Sequence, residues 1–184
     1  MAVDRREADR HDPPMQTIPR RHDIPDDSWD PPTALVIPES IRREMIDHAR
    51  AARPNESVGL LAALRDGRET VATAFFPGTN VDASPMRYTM DRTEVEFALG
   101  RISRGGWSLG AIVHSHPDDA AVPSGTDRRE HRYPDALMGI ISLATAPPDL
   151  RVWSLRPDNS AGGQRVVEIG VRTVARPTTD EEYW

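Results

Sequence analysis

Two histidines and an aspartate are the residues of this chain best suited to chemistry. In the segment His114-Ser115-His116-Pro117 the histidines lie two residues apart, and Asp127 follows eleven residues after the second. If both histidines lie at the end of a β-strand, its period of two points their side chains to one face, and a turn can bring Asp127 back. Two neutral imidazoles and one carboxylate leave a fourth position open on a tetrahedral metal ion, which is typical of catalytic zinc. The pattern predicts a hydrolytic Zn²⁺ site, because such an ion lowers the pKa of a water in the open position toward neutrality.

A second acidic residue, Glu56, could act as the general base of this site. It lies at the junction between a predicted helix and the strand that begins at Val58. If that strand neighbours the one that ends at His114, Glu56 could take a proton from the activated water and pass it to a leaving amine. Acids at helix ends are common on protein surfaces, so its position alone favours a structural interpretation.

Ser124 also has two interpretations. Ser124-Gly125-Thr126-Asp127 matches a capping box, in which the serine caps a helix and the acid lies in its first turn. Alternatively, Asp127 turns to the metal and the Ser124 hydroxyl donates a hydrogen bond to a developing oxyanion. Both interpretations can hold in part, because a carboxylate has two oxygens.

Helices interrupt strands along the chain, which predicts a mixed α/β fold rather than an all-β one. Apolar runs and turn residues predict strands at 34–37, 58–64, 69–76, 87–90, 107–114, 136–143, 150–155 and 165–174. Proline, capping and glycine signals predict helices at 38–52, 91–104 and 124–131. The strand at 107–114 is mostly apolar, so we expect it in the middle of the sheet.

Composition limits the classes of function. The chain has 184 residues, enough for one well-buried domain and short for two. Its net charge of −6 argues against nucleic acid as a partner, because nucleic-acid binding needs a basic face. The absence of cysteine excludes disulfides and thiolate metal sites. With no apolar run that could span a membrane and no evident signal peptide, the sequence predicts a soluble cytoplasmic protein.

Three regions are predicted along the chain. Residues 1–32 hold six prolines and eight acidic residues with almost no apolar side chains, so we expect a disordered tail. Residues 33–176 are the predicted folded domain, and residues 177–184 a loose acidic tail. All 23 basic residues are arginine. Codon bias and avoidance of lysine-directed modification would each produce this composition.

Taken in order, the candidate residues resemble a known signature. The sequence contains Glu56-x-x-Gly59, then His114-Ser115-His116-Pro117, then Pro123-Ser124-x-x-Asp127. This series looks like the motif of the JAMM (MPN+) zinc metalloproteases, and the resemblance extends over roughly residues 35–155. It implies the JAB/MPN fold, a curved mixed β-sheet flanked by helices that is similar in outline to cytidine deaminases.

The resemblance also implies a role for each residue. The zinc ligands would be His114, His116 and Asp127, the general base Glu56, and the oxyanion donor Ser124. Only eight residues separate Asp127 from the next predicted strand, whereas eukaryotic deubiquitinases of this family carry larger insertions. The chain therefore resembles the small bacterial members, several of which act on ubiquitin-like sulfur-carrier proteins.

Three functions follow as hypotheses. The first is a zinc-dependent hydrolase that cleaves the amide after the C-terminal Gly-Gly of a small β-grasp carrier, releasing cysteine from a carrier–cysteine adduct. The second is an isopeptidase that removes a ubiquitin-like modifier from lysine side chains. The third is a non-catalytic binding module whose metal is structural. The sequence leaves open which carrier is the partner and whether the protein forms homo-oligomers.

Overall fold

A computed structural model describes residues 30–158 and 163–175. In these residues the order of elements is β1 (Ala34–Pro38), α1 (Glu39–Ala52), β2 (Val58–Asp66), β3 (Glu69–Gly78), α2 (Arg92–Arg104), β4 (Ser108–His116), α3 (Gly125–Glu130), β5 (Leu137–Ser142), β6 (Asp149–Asp158) and β7 (Gly163–Val174). No helix in this part of the chain combines the length and the apolarity needed to cross a membrane. The predictions of a disordered tail and an acidic tail fall almost wholly on residues outside the described ranges.

The seven strands form one mixed sheet that curves until it closes on itself. Its order is β1-β3-β2-β4-β5-β6-β7, and β1 also pairs with β7. β1 runs parallel to both neighbours and β4 runs parallel to β5, whereas the other pairs are antiparallel. The predicted mixed α/β fold with a curved sheet is confirmed. β4 lies between β2 and β5, as its apolar sequence predicts.

Helices pack on both faces of the sheet. The amphipathic α1 contributes to the largest apolar cluster, which includes Val113 of β4. α2 packs on the opposite face, in a cluster that includes Leu60 of β2 and Ile112 of β4. Side chains alternate between the two faces along a strand. Since Ile112 lies on the α2 face, the side chains of His114 and His116 lie on that face too.

The register of β2 against β4 sets the position of the predicted general base. Val58, the first residue of β2, pairs with His114 in an antiparallel ladder. Extending this register by two residues places Glu56 opposite His116. Because directly opposed residues point to the same face of a sheet, Glu56 and His116 share the α2 face.

Glycine is required at two places in the β2–β3 hairpin. The predicted hairpin turn forms one residue later than the expected Asp66-Gly67: Asp66 pairs with Glu69, so the turn residues are Gly67 and Arg68, and Gly67 adopts a positive φ of 55° that other residues rarely adopt. Gly59 packs closely instead: a Cβ there would lie 2.5 Å from the Phe75 ring and 2.8 Å from the carbonyl oxygen of Phe76. The glycine three residues after Glu56 therefore allows β2 and β3 to approach.

The N-terminus of α2 is set by Asp91, as predicted. Its carboxylate accepts hydrogen bonds from the backbone N–H groups of Thr93 at 2.9 Å and Glu94 at 3.1 Å. The Glu94 carboxylate does not complete a capping box but accepts from the backbone N–H and the hydroxyl of Thr79, at 2.6 and 3.0 Å. The helix thereby holds the segment that follows β3.

The predicted strand at 87–90 is wrong. The segment is irregular, and a single bridge joins Met90 to Asn80 in the described chain. The Asn80 side chain takes hydrogen bonds that a neighbouring strand would otherwise make, accepting from the Thr89 N–H and donating to the Arg87 carbonyl, each at 3.1 Å. A side-chain amide has replaced a strand partner.

Candidate metal centre

The three predicted metal ligands meet at the end of β4. His114 Nε2 lies 3.2 Å from His116 Nε2, and the carboxylate oxygens of Asp127 lie 3.3 Å from His114 Nε2 and 3.5 Å from His116 Nε2. One ligand atom from each residue lies within 4.8 Å of the others. All three side chains are buried. The structure brings together the residues that the sequence predicts.

α3 positions Asp127 beside the two histidines. The Ser124 hydroxyl accepts from the Asp127 N–H at 3.1 Å, and the Asp127 Oδ2 accepts from the Ser124 N–H at 2.7 Å. The capping box predicted from the sequence is therefore confirmed. The same carboxylate also faces both imidazoles, so helix capping and contact with the histidines coexist, as a group with two oxygens permits.

A hydrogen bond outside the centre fixes the orientation of His116. Its Nδ1 lies 2.7 Å from the Ala120 carbonyl, which can only accept, so Nδ1 carries the proton and Nε2 presents a lone pair to the centre. Metal-binding histidines are usually oriented in this way. Imidazole nitrogens and carboxylate oxygens that converge in a buried space need a shared proton or a cation between them. This nitrogen and oxygen donor set fits Zn²⁺.

The pKa shifts favour the metal-binding forms of Asp127 and His114. Burial lowers the pKa of His114, and the neighbouring Asp127 offsets this only in part. Burial also lowers the pKa of His116, but hydrogen bonds to Asp127 and Ala120 outweigh it, so that the net pKa is raised. Burial raises the pKa of Asp127, but its hydrogen bonds with both histidines lower it well below its usual range. An ionised carboxylate and a neutral imidazole are the forms that bind a metal.

Glu56 is buried rather than an exposed acid at a helix end. It is 5% exposed, and its Oε2 atom is buried with no hydrogen-bond partner among the residues that the structure describes. Burial raises the pKa of Glu56 to about 7, a shift that the charge of His116 opposes and the charge of Asp127 reinforces. A carboxylate with a pKa near neutrality and an unengaged oxygen can both accept and release a proton.

Ser124 lies at the exposed start of α3. Its hydroxyl oxygen already accepts the Asp127 N–H. A hydroxyl keeps one proton to donate after it has accepted a hydrogen bond. The cap therefore leaves the Ser124 hydroxyl able to act as a donor beside the centre.

Tyr88 contacts the centre and was not identified from the sequence. Its ring lies over the His114 ring, with centroids 4.6 Å apart and planes tilted by 30°. Burial raises the pKa of Tyr88, so its hydroxyl stays protonated. The pattern around Tyr88 predicted a strand that the structure does not contain, so hydrophobic patterning could not show which aromatic residue meets the histidines.

An apolar groove of about 190 Å³ opens beside the metal centre. Tyr88 contributes to its wall, as does Val58, the strand partner of His114. The other lining residues come from β2, from the segment before α2, from α2 and β4, and from the end of α3 onward: Leu60, Met90, Val95, Leu99, Leu109, Ile112, Glu130, His131, Arg132 and Tyr133. The groove thus presents an apolar surface that continues toward the histidines.

Arg53, which follows α1, forms hydrogen bonds with the loop that follows the histidines. Its Nη2 donates to the carbonyls of Pro117 at 2.5 Å and Leu143 at 3.2 Å, and lies 3.4 Å from the Asp118 carboxylate. These contacts connect three separate segments of the chain around the end of β4. No sequence signal pointed to Arg53, since its two closest partners are backbone carbonyls.

A closed, curved sheet with two histidines and an aspartate at the end of its middle strand defines a mixed α/β protein with a buried cation-binding centre. The sequence pattern of the prokaryotic homologues of the JAB domain matches residues 38–156. Because this match covers more than half of the chain and includes every residue of the centre, the chain belongs to that family. The resemblance inferred from the sequence is confirmed.

Similar proteins of known name come from bacteria and archaea. A Thermus thermophilus protein named "Probable TtuB-protein conjugate cleaving protease" is 36% identical over 100 residues, which cover 54% of this chain and 64% of that protein. The Haloferax volcanii desampylase is 33% identical over 61% of this chain and 81% of that protein. The Mycobacterium tuberculosis CysO-cysteine peptidase is 31% identical over 59% of this chain and 73% of that protein. The relatives are thus named as proteases or peptidases, or as a desampylase.

Solved structures agree on the fold. A solution structure of a Desulfitobacterium hafniense protein superposes with a TM-score of 0.70 at 30% identity, covering 82% of this chain and 99% of that one. A Salinibacter ruber protein superposes with a TM-score of 0.53 at 24% identity, covering 80% of this chain and 92% of that one, which supports the fold alone.

Proposed function

We propose that the protein is a zinc-dependent peptidase that cleaves the amide after the C-terminal Gly-Gly of a ubiquitin-like sulfur-carrier protein, releasing cysteine from a carrier–cysteine adduct. The observation that carries this proposal is a buried carboxylate, Glu56, with an unengaged oxygen, opposite a three-residue metal centre. The names of the relatives, which act on conjugates of TtuB and CysO, support the class of substrate.

The proposed roles follow from the chemistry of each side chain. Zn²⁺ held by His114, His116 and Asp127 would polarise the scissile carbonyl and supply a nucleophilic water near neutral pH. Glu56 takes the proton of the attacking water and later gives it to the departing amine. Ser124 donates its hydroxyl proton to the oxyanion as the carbonyl becomes tetrahedral.

The groove gives the proposed substrate a place to lie. A Gly-Gly tail has no side chains and can approach the buried centre closely. The residues before the two glycines would then lie along the apolar lining that Tyr88, Val95 and Leu99 provide. Binding of this kind buries apolar surface and holds the scissile bond next to Glu56.

An isopeptidase activity is the second candidate function. The Haloferax relative is named a desampylase and the Thermus relative a protease of protein conjugates. A carrier–cysteine adduct and a carrier joined to a lysine side chain should be supplied separately and their kcat/KM values compared. A preference for the lysine conjugate would select the isopeptidase.

A non-catalytic module with a structural metal is the third hypothesis. Such a site is closed by a fourth protein ligand. Within residues 30–158 and 163–175, the group that could hold a metal contains three residues, which favours a centre open to substrate. The cytoplasmic location and the possibility of a homo-oligomer stay predictions of the sequence.

The decisive experiment removes the base and keeps the ligands. Glu56→Gln should bind one equivalent of Zn²⁺, measured by metal analysis, and lose roughly 10² to 10⁴ in kcat on a carrier–cysteine adduct followed by mass spectrometry. Glu44→Gln, at an exposed position on α1, is the matched control and should keep wild-type kcat. Full turnover by the zinc-loaded Glu56→Gln protein would exclude Glu56 as the base.

A further inference from the structure

We propose that Asn80 is a positioning residue that holds both Glu56 and Tyr88 at the metal centre. The proposal rests on the proposed function, in which Glu56 is the general base. Asn80 lies just after β3, outside the ligand set and outside the groove. It would act only through the residues that it holds.

The amide of Asn80 is fully used. Its Nδ2 donates to the carbonyls of Glu56 and Arg87, each at 3.1 Å. Its Oδ1 accepts from the N–H groups of Asp82 and Thr89, each at 3.1 Å. An asparagine side chain has two donors and two acceptor positions, so each position has a backbone partner. Through these four hydrogen bonds, the Asn80 side chain holds residues 81–89 together as one folded segment.

These bonds connect the two groups that matter at the centre. One donor binds the backbone of Glu56, and the Glu56 N–H in turn donates to the Ser84 carbonyl of the same segment at 2.9 Å. Two of the other three bonds reach Arg87 and Thr89, the residues on either side of Tyr88. Fixing the backbone on both sides of Tyr88 aims its ring at His114.

The neighbour of Asn80 is itself anchored to α2. The Thr79 N–H and hydroxyl donate to the Glu94 carboxylate at 2.6 and 3.0 Å, and the Thr79 carbonyl accepts from the Asp91 N–H at 3.0 Å. A continuous set of hydrogen bonds therefore runs from the first turn of α2, through Thr79 and Asn80, to the backbone of Glu56.

Loss of the Asn80 amide should affect catalysis more than binding. Without Nδ2 the Glu56 carbonyl loses its partner, and the carboxylate and the Tyr88 ring are no longer held together. Small misplacements of a catalytic group reduce turnover strongly. We expect kcat to fall roughly ten- to a hundredfold, with KM changed less than about threefold.

The test uses the full chain with two substitutions of Asn80. Asn80→Ala removes all four bonds, whereas Asn80→Asp keeps acceptors for the Asp82 and Thr89 N–H groups and loses the donors to Glu56 and Arg87. Asn55→Ala is the control, because Asn55 adjoins Glu56 and its side chain makes no hydrogen bond in the described structure. For each protein, kcat and KM on a carrier–cysteine adduct, zinc content and melting temperature are measured.

A second measurement is independent of activity. Because the Tyr88 ring lies 4.6 Å from that of His114, its ring current should shift the His114 ring-proton resonances upfield, and Tyr88→Leu should give the resonance positions without this effect. In the zinc-free protein, both Asn80 variants should move these resonances toward the Tyr88→Leu position, and Asn55→Ala should not.

Lower kcat with intact zinc content, together with displaced His114 resonances in both Asn80 variants, would support the proposal. It is overturned if either variant keeps wild-type kcat, or if the His114 resonances stay at their wild-type positions. If the wild-type protein hydrolyses no carrier conjugate, the proposed function fails, and the resonances still decide whether Asn80 positions Tyr88.

Discussion

The buried carboxylate of Glu56 should cost the zinc-free protein stability, and this cost should depend on pH. The pKa of Glu56 is raised from 4.5 to about 7 by burial. In the folded protein the protonated form is therefore favoured relative to the unfolded chain. The stabilisation that comes from protonated Glu56 is therefore fully present below about pH 4.5 and is lost as the pH rises through about 7.

The size of the effect follows from the shift. At about 1.4 kcal/mol for each pKa unit, the interval between 4.5 and about 7 corresponds to at most about 3.5 kcal/mol. Water that reaches the centre reduces this figure, so we expect roughly 1 to 3 kcal/mol. Glu56→Gln has no charge to bury at any pH, and its free energy of unfolding should therefore rise relative to wild type by this amount between pH 4.5 and pH 8.

Urea unfolding of the zinc-free proteins, followed by circular dichroism at several pH values, measures the difference. In Glu44→Gln, whose parent carboxylate lies in solvent on α1, the free energy of unfolding should show the same pH dependence as in wild type. A Glu56→Gln curve that also runs parallel would refute the reasoning, because it would show that burial does not disfavour the ionised form. The reasoning would also be refuted if the difference in the free energy of unfolding between Glu56→Gln and wild type became smaller as the pH rises.

Other substitutions test the packing and the ligands. Gly59→Ala should destabilise the protein by roughly 1 to 3 kcal/mol, because the added methyl group meets Phe75 and a backbone carbonyl. Gly100→Ala in α2, where the nearest atom is 3.8 Å away, should instead stabilise it by up to about 1 kcal/mol. Urea unfolding measures the sign and size of both changes in the free energy of unfolding. Arg53→Ala should lower the free energy of unfolding by about 1 kcal/mol, as two carbonyls lose their partner, and equal melting temperatures would contradict this. Asp127→Asn keeps an oxygen for the helix cap but loses the charge, so calorimetry should show zinc affinity reduced more than about tenfold with little change in unfolding.

Features with a local cause could be predicted from the sequence. Asp91 caps α2, and a turn at Gly67 joins β2 to β3 within one residue of its predicted place, because a cap and a tight turn depend on residues only a few positions apart. The meeting of His114, His116 and Asp127 was also predictable, since strand period and helix capping bring them together. In each case short-range geometry decides the outcome.

Features that join distant segments could not be predicted. The closure of the sheet pairs β1 with β7, more than a hundred residues later, and no local pattern carries that information. The strand expected at 87–90 fails because Asn80 supplies its hydrogen bonds. The same side chain decides that Tyr88 meets His114, so one missed contact accounts for both the wrong strand and the unrecognised aromatic residue.

The distribution of the core argues that the metal is needed for chemistry more than for folding. The largest apolar cluster lies on the α1 face of the sheet, while the histidines project from the opposite face. Asp127 is held by the helix cap and His116 by the Ala120 carbonyl, and both contacts are made within the protein itself. Domains that depend on structural zinc lack such independent support and unfold when the metal is removed. A preformed centre beside an independent core matches the catalytic hypothesis, in which the protein arranges the ligands and the base in advance and the ion adds reactivity.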